Sequence, residues 1–205
     1  MENEIEVPEI KLSILVCSVL GRRRTFLPSI LDQIAEQIEN RKDVELIVVL
    51  DNKLRTLGDK RNDLVKMAQG KFVTFIDDDD KIKPNYVCEI LGAIESNKDV
   101  DVINFVVNVS LNGGSFKPCF YSKEFKTDFN LSESYHRLSN HIMCIKKELC
   151  LLAPYKPIIR GEDSAFAKDL LPFIKTEHNI NEILYEYHFN QSTTETQFKI
   201  KTKGK

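Results

Sequence analysis

The chain has 205 residues, 42% of them hydrophobic, which is enough for one sizeable α/β domain or a domain with a small appendage. Its 29 lysines and arginines nearly balance 31 aspartates and glutamates, and a net charge of −2 excludes the overall basic footprint of a nucleic-acid-binding protein. An odd number of cysteines (Cys17, Cys88, Cys119, Cys144 and Cys150) without CxxC spacing excludes a disulfide framework and a zinc ribbon, and no apolar run reaches the ~18 residues of a membrane span.

The first segment, MENEIEVPEIK, is acidic where a signal peptide is basic and then apolar, so a cytoplasmic location with reduced thiols is expected. Leu12 to Ser18 is a short apolar run that reads as a buried strand. Gly21 and Arg22-Arg23-Arg24 follow as a loop, with the arginines read as a solvated turn. From Thr25, a candidate cap, apolar residues recur at three and four positions (Phe26, Leu27, Ile30, Leu31, Ile34, Ala35, Ile38), predicting an amphipathic helix to about Arg41. Val44 to Leu50 is a second buried strand, ending at Asp51-Asn52. Leu57 to Ala68 is a helix closed by Gly70 just past its end.

Lys71 to Ile76 is a third strand, β-branched and aromatic, and Asp77, Asp78, Asp79 and Asp80 follow it at once. Such a run can solvate a loop or favour the helix expected from Pro84 to about Asn97. It also concentrates charge: two unit charges 4 Å apart repel by about 1 kcal/mol in water and about 4 at an effective dielectric of 20. A hard divalent cation with oxygen ligands is a natural counter-charge. Alternation would put Asp77 and Asp79 on one side of the run and Asp78 and Asp80 on the other.

Strand, helix, strand, helix, strand, helix is the pattern of a parallel sheet covered by helices, and ligands of such sheets sit beyond the carboxyl ends of the strands. Ser18, Asp51 and the aspartate run stand at three of those ends. Further on, Val100 to Ser110 reads as a strand, Asn112-Gly113-Gly114 as a hairpin turn into Ser115 to Tyr121, and residues 122–141 as a loop-rich segment. Met143 to Leu152 fits strand or short helix, and Ser164 to Leu171 a helix. Leu184 to Asn190 alternates, with Tyr185, Tyr187 and Phe189 on one face, read as core, and Glu186, His188 and Asn190 on the other. His136, His141 and His178 show no ligand spacing. The basic tail 193–205 is read as a frayed terminus.

The order of these elements resembles glycosyltransferase family 2. The stretch ELIVVLDNK…KRNDLVKMAQGKFVTFIDDDDKIKPNYV is similar to that family's strand-Asp, Arg-Asn, Ala-x-Gly and strand-DxDD-x-hydrophobic-x-Pro pattern, RGEDSAF to its Glu-Asp motif, and LYEYHFNQST to its closing Tyr-rich strand. The resemblance covers roughly residues 10–192. It implies a GT-A-like α/β fold: a Rossmann-like, mostly parallel sheet flanked by helices, with a smaller mixed or antiparallel acceptor-side part. One domain is expected, with a nucleotide-sugar-binding half at about 10–110 and an acceptor-side half at about 111–192.

The function implied is a metal-dependent, inverting transfer of a sugar from a nucleoside-diphosphate sugar, a UDP-sugar first among them, to an acceptor hydroxyl. Asp163 is the implied general base, with Glu162 beside it on the acceptor side. Ser18, Asp51, Lys60, Arg61, Asp77 and Asp78 are implied to contact the nucleotide donor. Asp79 and His188 are implied ligands of Mn²⁺ or Mg²⁺, an imidazole leaning toward manganese. Three departures stand out: Cys17-Ser18-Val19-Leu20 where the family commonly has Pro-Thr-Tyr-Asn, Asp51-Asn52-Lys53-Leu54 where it has Asp-Asp-Gly-Ser, and no tryptophan. A haloacid-dehalogenase-type phosphatase also places DxD after a strand, but it wants threonine where Lys81 stands. A non-catalytic nucleotide-sugar binder is the other alternative. The acceptor could be a glycan, a protein or, as a minority possibility resting on the basic tail, a modified DNA base.

Overall fold

The computed structural model describes residues 8–97, 99–158 and 160–191; the basic tail lies outside them. Leu12–Val19 (β1) is buried along its full length, as an uninterrupted apolar run must be when helices cover both faces of a sheet. It pairs in parallel with Val44–Asp51 (β2) on one side and Phe72–Phe75 (β3) on the other. The crossovers are Leu27–Ile38 (α1) and Leu57–Met67 (α2). Lys81–Ile82 (β4) precedes Tyr86–Ser96 (α3), which leads into Val102–Leu111 (β5).

Between β3 and β5 the chain inserts a strand that returns from later in the sequence. Cys144–Lys146 (β9) runs antiparallel to both, which leaves β5 parallel to β1, β2 and β3. The long last strand, Glu177–Phe189 (β10), lies parallel to β5 with two register shifts and antiparallel to β4. Lys117–Tyr121 (β6), Phe129–Asn130 (β7) and Tyr135–Arg137 (β8) extend the sheet beyond β5 in the order β5-β6-β8-β7. This is the mostly parallel sheet with a smaller mixed part that the sequence predicts, carrying antiparallel pairings of β4 and β9 that local pattern does not reveal and, within the segment 122–141 expected to be loop-rich, the short pair β7 and β8.

Several local expectations hold, and others need correction. Asn112 (φ 52°) and Gly113 (φ 74°) form the hairpin turn between β5 and β6, both left-handed as a two-residue turn of this hand requires. The ambiguous segment 143–152 is both things in turn, β9 and then Lys147–Leu152 (α4). α1 starts later than predicted: Phe26 precedes it without a side-chain cap, and Thr25 Oγ1 instead donates to the Arg22 carbonyl at 3.3 Å. Gly70 does not cap α2, which ends at Ala68. A Cβ on Gly70 would sit 2.6 Å from Ser13 N and Oγ, so glycine is required by the close approach to β1. β10 begins seven residues before Leu184. Its start is pinned by Asp101, whose carboxylate accepts from the Lys175 and Thr176 N–H groups at 2.8 and 3.0 Å and from Lys146 Nζ at 3.0 Å.

Candidate active site

The carboxyl ends of β1, β3, β5 and β10 open onto one cavity of about 730 Å³. Its floor is Cys17 and Ser18 at the end of β1. One wall is the loop 53–57 and the start of α2, and the opposite wall is Val109, Cys119, Tyr121, Tyr135 and Arg137 from β5, β6 and β8. Burial pushes the Cys17 thiol up to about 12, so it serves as packing at the floor and not as a nucleophile.

The four aspartates do not alternate as a strand. β3 stops at Phe75, and the run folds into a turn closed by Asp80 N–H to the Asp77 carbonyl at 3.2 Å. Asp77, Asp78 and Asp79 therefore line the cavity while Asp80 turns the other way. Asp80 is buried against β10, accepting from Tyr185 Oη at 2.7 Å and from His188 N–H at 2.8 Å. Tyr185 Oη also accepts from Asp77 N–H at 3.0 Å, so this core tyrosine ties the turn to the last strand. Burial, with Asp77 and Asp79 nearby, raises the Asp80 carboxyl well above the usual range.

Counter-charges for the other three come from the protein itself. Arg22 is not a solvated turn residue: it is buried, pairs with Asp78, and reaches Asp79 Oδ2 at 3.0 Å. Ser18 Oγ donates to Asp78 at 2.5 Å. Burial nevertheless outweighs these partners and raises the carboxyls of Asp78 and Asp79. Burial acts on Asp77 in the same sense, but His141 and Arg61 prevail there and hold its carboxyl below the usual range. Arg61, 2% exposed, bridges Asp77 Oδ1 at 3.1 Å and Glu162 Oε1 at 3.2 Å, linking the aspartate turn to the start of Glu162–Leu170 (α5). Beneath it, Asn62 makes two 2.8 Å hydrogen bonds to the Tyr155 backbone, and Tyr155 stacks on Phe166 of α5 at 4.1 Å.

Of the residues singled out in the sequence, Ser18, Lys60, Arg61, Asp77, Asp78 and Asp79 all line the cavity. So do Glu162, Asp163 and His188, from α5 and β10. Asp163 is in the first turn of α5, which Gly161 enters at φ 74°; its Oδ1 accepts from Ser164 N–H at 2.7 Å. Asp51 is not part of the lining: its carboxylate is held by Lys60 Nζ at 3.0 Å and by Arg55 N–H at 3.3 Å, behind Lys60. His188 Nε2 lies 3.4 Å from Glu186 Oε2, and its ring packs edge-on against Phe116. Arg22 and His141, not placed at a site by the sequence pattern, also line the cavity, as does Tyr187, expected in the core. His141 is buried and sits 3.3 Å from Asp77.

Among the described residues no three His, Cys, Asp or Glu side chains converge on a closed metal cage. Asp79, 19% exposed on its side chain, is open to the cavity with one oxygen on Arg22. This donor set fits a hard divalent cation of the kind that takes one or two protein carboxylates and completes its shell with phosphate oxygens and water. It does not fit a structural zinc site.

A family model described as Glycosyl transferase family 2 matches residues 27–151. An uncharacterized glycosyltransferase from Methanocaldococcus jannaschii is 28% identical over 131 residues, covering 61% of this chain and 44% of that one. The putative glycosyltransferase EpsH of Bacillus subtilis is 26% identical over 127 residues, covering 53% of this chain and 37% of its own. The chain thus spans less than half the length of these two relatives. Among solved structures, S. aureus TarS 1–349 with UDP superposes at a TM-score of 0.68 and 18% identity, over 87% of this chain and 60% of that one. The complex of the same protein with UDP-GlcNAc gives 0.65 and 16%, over 90% and 61%. At these identities the likeness establishes the GT-A fold.

Proposed function

Because the chain belongs to glycosyl transferase family 2, we propose that it is a metal-dependent, inverting glycosyltransferase that moves a sugar from a nucleoside-diphosphate sugar to an acceptor hydroxyl. The observation that carries this is a single cavity, at the carboxyl edge of a parallel sheet, with three aspartates on one side and Asp163 on another. TarS, of the same fold, has been solved with UDP and with UDP-GlcNAc, so a UDP-sugar is the first donor to try.

In this scheme Asp77 and Asp78 accept hydrogen bonds from donor hydroxyls, since carboxylates can only accept. Lys60, beside Ser18 and Asp51, and Arg61 lend positive charge to the donor side. Asp79, with His188 from β10, would hold Mn²⁺ or Mg²⁺, a Lewis acid that offsets charge gathering on the departing diphosphate. Asp163 takes the proton of the acceptor hydroxyl. As that oxygen bonds to the anomeric carbon, the carbon–oxygen bond to the nucleoside diphosphate breaks and its electron pair leaves with the diphosphate. Attack opposite the leaving group inverts the carbon, so one base suffices. Glu162, paired with Arg61, holds the acceptor-side end of α5 in place.

The test is turnover of a panel of nucleotide-sugars with Mn²⁺ or Mg²⁺ and with chelator, followed as release of nucleoside diphosphate. Metal-dependent release from at least one sugar is expected. Tight nucleotide binding with no release from any sugar, with or without candidate acceptors, would point to a non-catalytic binder.

A further inference from the structure

We infer that His141 is a positioning residue: it holds the Asp77 carboxylate in the orientation that receives the donor. The inference rests on the proposed function and deepens it.

The placement of His141 is set by the backbone. Its carbonyl accepts from Phe75 N–H at 3.0 Å, which fixes the residue against the last position of β3 and brings its side chain beside the aspartate turn. The ring meets Phe75 edge-on, with centroids 6.3 Å apart, and the side chain is 5% exposed. Nε2 lies 3.3 Å from Asp77 Oδ2, while Arg61 Nη2 takes Asp77 Oδ1 at 3.1 Å. The carboxylate is thus gripped at both oxygens, one partner on each, and its plane is set. Each oxygen keeps a further lone pair, and the Asp77 side chain is 28% exposed at the cavity.

The other ring nitrogen shows that packing is not the reason for a histidine here. A carboxylate can only accept, so Nε2 is the donor in this contact. Nδ1 is buried and makes no hydrogen bond. An unsatisfied buried polar atom costs about 1–3 kcal/mol. Phenylalanine would offer Phe75 the same edge contact without that penalty. A side chain that leaves one buried nitrogen unpartnered while gripping a carboxylate in a cavity is the kind of local conflict expected at functional sites.

Calorimetric titration with UDP in the presence of Mn²⁺, beside ligand-free thermal unfolding, separates the two roles. H141F is expected to weaken UDP binding by about tenfold or more, the equivalent of one hydrogen bond of about 1.4 kcal/mol, with ligand-free Tm little changed, because the lost contact with Asp77 and the removal of the unpartnered Nδ1 offset one another. H141Q, whose amide N–H reaches in the same direction as Nε2, is expected to recover most of the affinity. H141F that binds UDP like the wild type overturns the inference, as does H141F that fails to fold or loses Tm in step with affinity. Wild-type protein that binds no nucleotide ends the donor proposal itself, a result distinct from wild-type binding that the substitution leaves untouched.

Discussion

Asp163→Asn is expected to lower the rate of sugar transfer by about 10²–10⁴-fold, the usual contribution of a positioned general base, while nucleotide binding stays within about twofold of wild type. The substitution keeps the shape of the side chain and removes only its capacity to take a proton. Its structural cost is small. Asp163 sits in the first turn of α5, where a negative charge favours the helix by about 0.3–1 kcal/mol, and its local bond is to the next residue's N–H. Transfer assayed at saturating donor, with UDP affinity measured on the same preparation, separates chemistry from binding. Loss of both together would mean that Asp163 holds the site and does not act on the acceptor. Retention of both would move the base elsewhere.

Arg61 carries the second large effect, and it is one of stability. The guanidinium is buried between Asp77 and Glu162, and its plane lies over the rings of Phe75 and Tyr155 at 5.5 and 5.6 Å. Arg61→Leu keeps an apolar stem but strands two carboxylates, and removing one partner of a buried ion pair costs about 3–5 kcal/mol. At about 2–4 °C per kcal/mol for a chain of this size, Tm should fall by roughly 6–20 °C. Adding Glu162→Gln removes one of the stranded charges, so the double variant should be more stable than Arg61→Leu alone. A double variant whose losses simply add would show that the two side chains are not energetically coupled.

Much of this arrangement is legible in the sequence because its signals are local. Four strands and three covering helices follow from apolar runs and from spacing by three and four residues, although β2, expected to be buried, is the half-buried edge of the sheet, and the parallel sheet places the site at the ends that carry Ser18 and the aspartates. Long-range pairing leaves no such trace. The three residues of β9 are too few for a pattern, and nothing in CIK announces an antiparallel strand between β3 and β5. A strand's period of two does not describe the aspartate run, because β3 ends before it and a turn sends Asp80 toward Tyr185. Arg22 stands in a run of three arginines, and its contacts with Asp78 and Asp79, 56 and 57 residues away, separate it from its exposed neighbours. His141 lies in a polar segment without ligand spacing and reaches Asp77 through the bond between its own carbonyl and β3. Asp51 stands at the end of β2 as predicted, and its carboxylate accepts from Lys60 Nζ at 3.0 Å, a partner nine residues on that the sequence pattern does not name.

The central claim is that the aspartate turn holds a cation that grips the donor's diphosphate, and crystals grown with Mn²⁺ and UDP test it most directly. An anomalous difference map recorded at the manganese edge should show one strong peak at coordination distance from the Asp79 carboxylate, in contact with the UDP diphosphate. UDP bound in the cavity with no manganese at Asp79, or manganese seated away from this turn, would contradict it.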